Sequence, residues 1–212
     1  MPDTTQPDTT QPEPLTRIVD GSLVATTVEI LVDAFYADPL WGWAFPDDSR
    51  RREQHRAVWG AAVEGALRYP WVRLSDGDTA AAVWIPPGGT ELTEEGAVRF
   101  EELLVELLGP DAPRALGAFE ALEQHHPWDE PHFYLSLLGT ASEHRGHGYG
   151  LALLADCLRE IDGHAMPAYL ESSNPANVAL YGRYGFVPRE VLTIPGGGPE
   201  IVTMWRPASP PE

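Results

Sequence analysis

The sequence predicts a single-domain α/β fold of the mixed-sheet (α+β) kind: one mixed, mostly antiparallel sheet with helices on both faces. Three observations carry this. Strand-length apolar runs alternate with segments of helical periodicity in the order βααββααβαβαββ. The turn-rich pieces Ser75–Asp78 and Pro195–Gly198 join strands locally, as antiparallel hairpins do, whereas the later βαβ stretches require a parallel pair. The chain has 212 residues, enough for one sizeable hydrophobic core.

Residues 1–14 hold Pro-Asp-Thr-Thr-Gln twice and then Pro12-Glu13-Pro14, with no apolar side chain after Met1, and read as a disordered tail. The folded domain is expected over 15–207, with 208–212 a flexible C-terminus. Ile18-Val19 starts a short strand. Ser22 is placed to cap a helix running to Phe35, with Val24, Val28, Leu31 and Phe35 on one face. Asp38–Pro46, rich in Pro and Trp, reads as a turn, and a second helix is expected over 50–67. Trp71–Leu74 and Ala80–Ile85 form the first hairpin, ended by Pro86-Pro87-Gly88-Gly89. Two helices follow, over 93–108 and 112–124, split by Gly109-Pro110. Phe133–Leu138 is the next strand, leading through a glycine-rich turn to a helix over 149–162. Ala168–Glu171 is a further strand. A helix from Pro175 to Tyr184 has Asn174 as its cap, Pro175 at its first position and Gly185 at its end. Val191–Ile194 and Ile201–Trp205 close the sheet.

Composition narrows the function. Net charge is −18, from 32 acids and 14 Arg with no Lys, and residues 1–130 carry 24 of the acids against 9 Arg. Such a chain repels a phosphate backbone and attracts cations, so nucleic acid is not an expected partner. A merely solubilising surface is the competing reading. No stretch nears the roughly 18 consecutive apolar residues of a membrane span. The N-terminus shows neither the basic nor the apolar region of a signal peptide, and one cysteine fits a reducing compartment, so the protein is expected in the cytoplasm.

The strongest motif is Arg145-Gly146-His147-Gly148-Tyr149-Gly150. A strand that enters a glycine turn and opens a helix presents main-chain N–H groups, and about half a positive charge, to a phosphate-bearing ligand. The spacing is not that of a dinucleotide fingerprint, and too little chain follows for such a sheet. Without lysine, a P-loop is excluded.

Arg145 to Gly150 matches the Gln/Arg-x-x-Gly-x-Gly/Ala pyrophosphate loop of GNAT-superfamily N-acetyltransferases, which this chain resembles over about residues 131–206. Asn174 to Phe186 resembles that family's Asn-containing turn and aromatic-Gly-Phe helix end. Within the family, Ala82-Val83-Trp84, Glu130–Leu135, Tyr169–Ser173 and Met204–Pro207 resemble puromycin N-acetyltransferase and its actinobacterial relatives. The resemblance implies the GNAT acyl-CoA N-acyltransferase fold, acetyl-CoA as co-substrate with no metal, and acetylation of a small-molecule amine such as an antibiotic or secondary metabolite. Protein or peptide amines, and a non-catalytic acyl-CoA-binding module, are the competing readings. A monomer and a homodimer both fit.

Carried over by position, main-chain groups of Leu138, Gly139 and Thr140 would pair with the pantetheine arm. Arg145 and the N–H groups of Gly146, His147, Gly148, Tyr149 and Gly150 would hold the diphosphate, with Asn174 and Asn177 bonding the pantetheine or capping. Tyr181 matches the family's general acid for the departing thiolate, packing being its competing role. Glu171, an acid at an apolar strand end, is the candidate base; binding the substrate's charge or ordering the next turn competes equally. Trp41, Trp43 and Phe45 are the candidate acceptor contacts, with core packing the alternative. Cys157 is expected to be buried packing, and His144 and His147 lack a third metal ligand. His125-His126-Pro127-Trp128 reads as a surface loop, with cleft lining as the alternative.

Overall fold

The computed structural model describes residues 16–209. Its elements are β1 (Thr16–Ile18), α1 (Val24–Phe35), α2 (Pro39–Ala44), α3 (Arg51–Ala66), β2 (Val72–Ser75), β3 (Ala80–Ile85), α4 (Glu94–Leu108), α5 (Ala112–His125), β4 (Phe133–Thr140), α6 (Tyr149–Gly163), β5 (Ala168–Ser172), α7 (Val178–Gly182), β6 (Val187–Thr193) and β7 (Glu200–Arg206). The strands form one sheet in the order β1-β2-β3-β4-β5-β7-β6, parallel at β4–β5 and antiparallel at every other pair. This is the mixed, mostly antiparallel sheet that the element order predicts.

Alternation along β3 shows how the two faces are filled. Ala81, Val83 and Ile85 point into a core shared with α1, α2, α3, α4 and α5. Ala80, Ala82 and Trp84 point the other way, against α6. That helix presents Leu153, Leu154, Cys157, Leu158 and Ile161 on one stripe, all buried. A large apolar side chain buried this fully contributes about 1.5–3 kcal/mol, which fixes α6 to the sheet despite its uncapped start.

Three expectations are corrected. Ser22 does not cap α1: its N–H and hydroxyl both bond Asp20 Oδ1, at 2.8 and 2.6 Å, and the capping position is Leu23 without a side-chain bond. The Asp38–Pro46 turn contains a helix, α2, because Asp38 Oδ1 accepts from the N–H groups of Leu40 and Trp41 and Pro39 presets the first position. The last hairpin is longer, beginning at Val187, since Val187 and Pro188 already pair with β7. The tail expected at 1–14 lies outside the described residues, as do positions 210–212. Within the expected C-terminal flexible segment, Ser209 is tied by its hydroxyl to Asp162 Oδ1 at 2.8 Å.

Candidate active site

Two irregularities in β4 open the sheet. Against β3, Val83 pairs with Leu137 but Trp84 pairs with Leu135, so Ser136 is an extra residue, a β-bulge. The bulge turns the strand over: Leu135 packs on the α6 side, while Leu137 packs on the α1 side. Against β5, pairing stops at Leu135–Leu170, and β5 continues to Ser172 in contact with β7 only. Beyond Ser136, the β4 main-chain groups that point away from β3 therefore have no strand partner. They face a cavity of about 1660 Å³ that runs through the molecule from the glycine turn to the α4–α5 pair.

At one end of the cavity lies the turn from Arg145 to Gly150. Gly146 and Gly148 adopt φ of +80° and +84°, left-handed backbone that favours glycine. Gly150 is required for another reason: a Cβ there would stand 2.4 Å from Thr140 Oγ1. Ala152 N–H makes the first helical bond, to Gly148 O, so Tyr149, Gly150 and Leu151 keep N–H groups that α6 itself cannot satisfy. The turn is clamped by the end of α1. Asp33 Oδ2 accepts from Ser142 N–H at 2.5 Å, and Arg145 Nη2 donates to Ala34 O at 2.6 Å. Close approach of α1 to β4 needs Gly139, where a Cβ would come within 2.6 Å of the Ala34 Cβ.

In the middle, Leu138, Gly139, Thr140, Asn174, Asn177 and Tyr181 share the wall. Asn174 caps the following turn through Oδ1, which accepts from Ala176 N–H at 3.0 Å. Burial pushes the Tyr181 phenol up to about 12, and the Asp38 carboxylate adds to this. Tyr181 is therefore neutral at working pH and able to donate. Asp38 was not singled out by sequence, although an Asp-Pro pair at a helix start is a capping signal. Its Oδ2 accepts from Ser173 at 2.7 Å, tying α2 to the end of β5, and burial raises its pKa.

The far end is acidic and aromatic. Glu91, from the loop before α4, accepts from the Ser136 hydroxyl on the bulge. Burial raises its pKa, and the charge of Glu171 adds to the rise. Glu171 comes from β5; its side chain is 6% exposed and its Oε1 has no hydrogen-bond partner among the described residues. Tyr134, between the two acids, is raised well above its ordinary value by burial and then by both carboxylates. His126 and Trp128 complete this wall, so two residues of the His125–Trp128 segment line the cleft, while His125 ends α5 and neither it nor Pro127 borders the cavity. Of the three aromatic candidates, Trp41 borders the cavity while packing at 5.0 Å on both Trp59 and Phe119. Trp43 and Phe45 do not border it. Phe45 is fully buried against His55, and Trp43 lies beside Arg114, because α2 turns those faces away. Cys157 is buried and its thiol is pushed up to about 12, which removes it as a nucleophile. Among the described residues, no cluster of three or more His, Cys, Asp or Glu could hold a metal ion, and no helix is long and apolar enough to cross a membrane.

The chain matches the profile of the acetyltransferase (GNAT) family over residues 28–186. It belongs to the GNAT family. It is similar to an uncharacterized N-acetyltransferase of Schizosaccharomyces pombe, at 26% identity over 183 residues, 76% of this chain and 70% of that one. In fold it is similar to a Corynebacterium glutamicum protein described as histone acetyltransferase HPA2 and related acetyltransferase (24% identity, TM-score 0.65, 92% of this chain and 97% of that one). It also shares its fold with the Drosophila melanogaster polyamine N-acetyltransferase that forms N-acetylagmatine (15% identity, TM-score 0.58, 90% and 97% covered). Family membership makes the protein an acyl-CoA-dependent N-acetyltransferase, acetyl-CoA being the donor that GNAT enzymes use.

Proposed function

We propose that the protein moves an acetyl group from acetyl-CoA to an amine of a small cationic, partly apolar acceptor, of the antibiotic or secondary-metabolite kind that the puromycin-acetyltransferase resemblance implies. One observation carries the acceptor's charge. The cavity wall holds seven glutamates, whereas its only guanidinium groups, Arg145 and Arg183, come from the glycine turn and the end of α7. A cation is drawn to the α4–α5 end and a diphosphate to the other. Tyr134, Trp128 and Trp41 supply apolar surface at the acidic end.

In this reading the N–H groups from Gly146 to Leu151, with Arg145, hold the diphosphate, and the unpaired edge from Leu138 to Thr140 takes the pantetheine amides. A main-chain N–H near Leu138 polarises the thioester carbonyl, a contribution of a few kcal/mol. Tyr181 donates to the departing sulfur. The burial that raises its phenol penalises a thiolate beside it equally, so the sulfur's proton affinity rises in step. Glu171 holds the acceptor ammonium or takes its proton. The acid-walled end favours small cationic amines, and a reducing cytoplasm suits the lone cysteine.

A thiol-release assay with acetyl-CoA tests the proposal across aminonucleosides, polyamines, aminoglycosides and peptides with free N-termini. Turnover is expected with small cationic amines; release with peptides alone, or with none, overturns the acceptor assignment.

A further inference from the structure

Acetylating an ammonium frees one proton per turnover: R–NH3+ and a thioester yield an amide, a neutral thiol and H+. If the acceptor is a cation, as proposed above, that proton is released at the acidic end of the cavity. Two histidines stand there, and their hydrogen bonds dictate where each ring hydrogen sits. His132 Nδ1 lies 2.5 Å from the main-chain carbonyl of Glu130. A carbonyl only accepts, so Nδ1 carries the hydrogen and the neutral ring offers a lone pair at Nε2. His126 Nε2 lies 3.1 Å from that atom and supplies the N–H between them. The other nitrogen of neutral His126, Nδ1, is then a lone pair.

That lone pair faces Glu171 Oε1 at 3.9 Å, and the two side chains are only 7% and 6% exposed. Glu171 Oε1 has no hydrogen-bond partner among the described residues. The phenols of Tyr134 and Tyr169 act on the same carboxylate, but the His126 lone pair and Oε1 still face each other across a gap wide enough for the N–H of a third group. His126 also stands on a partition. It borders the acceptor cavity on one side and, on the other, a second pocket of about 510 Å³ walled in part by Glu130, Arg189 and Glu190.

We propose that His126 is the base: Nδ1 takes the acceptor's ammonium proton while Glu171 holds the ammonium in place, and His132 is a positioning residue that keeps Nδ1 unprotonated. The N–H bond of the ammonium breaks, its electron pair stays on nitrogen to attack the thioester carbon, and the proton becomes the Nδ1–H of a His126 imidazolium. The C–S bond then breaks, the sulfur takes the Tyr181 proton, and the second N–H proton of the former amine restores the phenol. After product leaves, Nδ1 returns its proton to solvent, and because Nε2–H stays bonded to His132 throughout, the ring ends in its starting tautomer. The titratable groups facing the ring are Glu171 and Tyr169 of β5, Tyr134 of β4, Glu91 before α4, and His132. Burial holds His132 below the ordinary histidine value, so that ring does not place a second positive charge beside His126.

Nitrogen-detected NMR of the histidine rings tests this on the enzyme without any acceptor. His126 should show an unprotonated Nδ1 and a protonated Nε2 in its neutral ring. A protonated Nδ1 in the neutral ring overturns the proposal. The kinetic arm uses whichever amine turns over in the thiol-release panel. His126→Gln should reduce kcat/KM about 100-fold at neutral pH, with the deficit closing as pH approaches the amine's own pKa near 10.4. Coenzyme A affinity should stay unchanged in that variant, which shows that it folds. His132→Gln should produce a smaller loss with the same pH signature, whereas a loss equal at every pH would assign both rings to structure alone. A panel without any productive amine counts against the cationic-acceptor reading, and the ring tautomers still decide the role of His126.

Discussion

The two ends of the cavity are built from different material. The glycine-turn end offers main-chain N–H groups, freed by the uncapped start of α6 and by the strand edge beyond Ser136. The acidic end offers side chains, brought from the loop before α4, from β5 and from the segment between α5 and β4. Main-chain sites depend on backbone shape and admit few residue types, whereas side-chain sites can be redrawn by substitution with the backbone unchanged. Within one family this arrangement lets the donor stay constant while the acceptor varies.

Substitutions can break that division. Tyr181→Phe should have the largest effect, a fall in kcat of about 10²- to 10⁴-fold with coenzyme A binding intact by calorimetry; unchanged turnover would remove the phenol from the chemistry. Gly150→Val comes next. Its Cβ would strike Thr140 Oγ1 and push α6 from β4, so coenzyme A affinity should weaken about 10- to 100-fold, with the acceptor KM little altered.

Glu91→Gln should raise the acceptor KM about tenfold and leave coenzyme A affinity alone. It should also stabilise the protein. Burial raises the folded-state pKa of Glu91 above its ordinary 4.5, so its contribution to stability is fully present below 4.5 and is lost as pH rises through the folded value. At neutral pH the variant escapes that loss, and its Tm should be higher by about 2–4 °C, the equivalent of about 1 kcal/mol. The difference should fade on acidification; a Tm gap that persists below 4.5 would contradict the assigned cause. The smallest effect is expected of Trp43→Ala, which should leave both Michaelis constants unchanged because Trp43 does not border the cavity.

The same division explains what sequence reading could reach. The glycine turn was legible because few residues tolerate φ near +80°, and the order of elements followed from period and punctuation. Ser22 and the Asp38–Pro46 segment misled because capping depends on which oxygen reaches which N–H. Asp20 engages Ser22, while Asp38 organises a helix that two tryptophans disguise as a turn. The bulge at Ser136 leaves no mark in the local pattern, since Phe133–Leu138 reads as one strand with a single serine in it. Glu91 was invisible for a similar reason: it sits in a Pro-Gly-rich loop, and only the bulge hydroxyl, 45 positions away, shows what it faces.

The strand edge left bare between β4 and β5 also has a thermal consequence. Exposed ladder groups elsewhere invite pairing with other chains, but a recessed edge is reachable only by a slender extended polyamide. A molecule that completes this ladder binds the native chain and not the unfolded one, so it should raise the melting temperature with the logarithm of its concentration. Heat resistance would then follow how much thioester the cell keeps in stock.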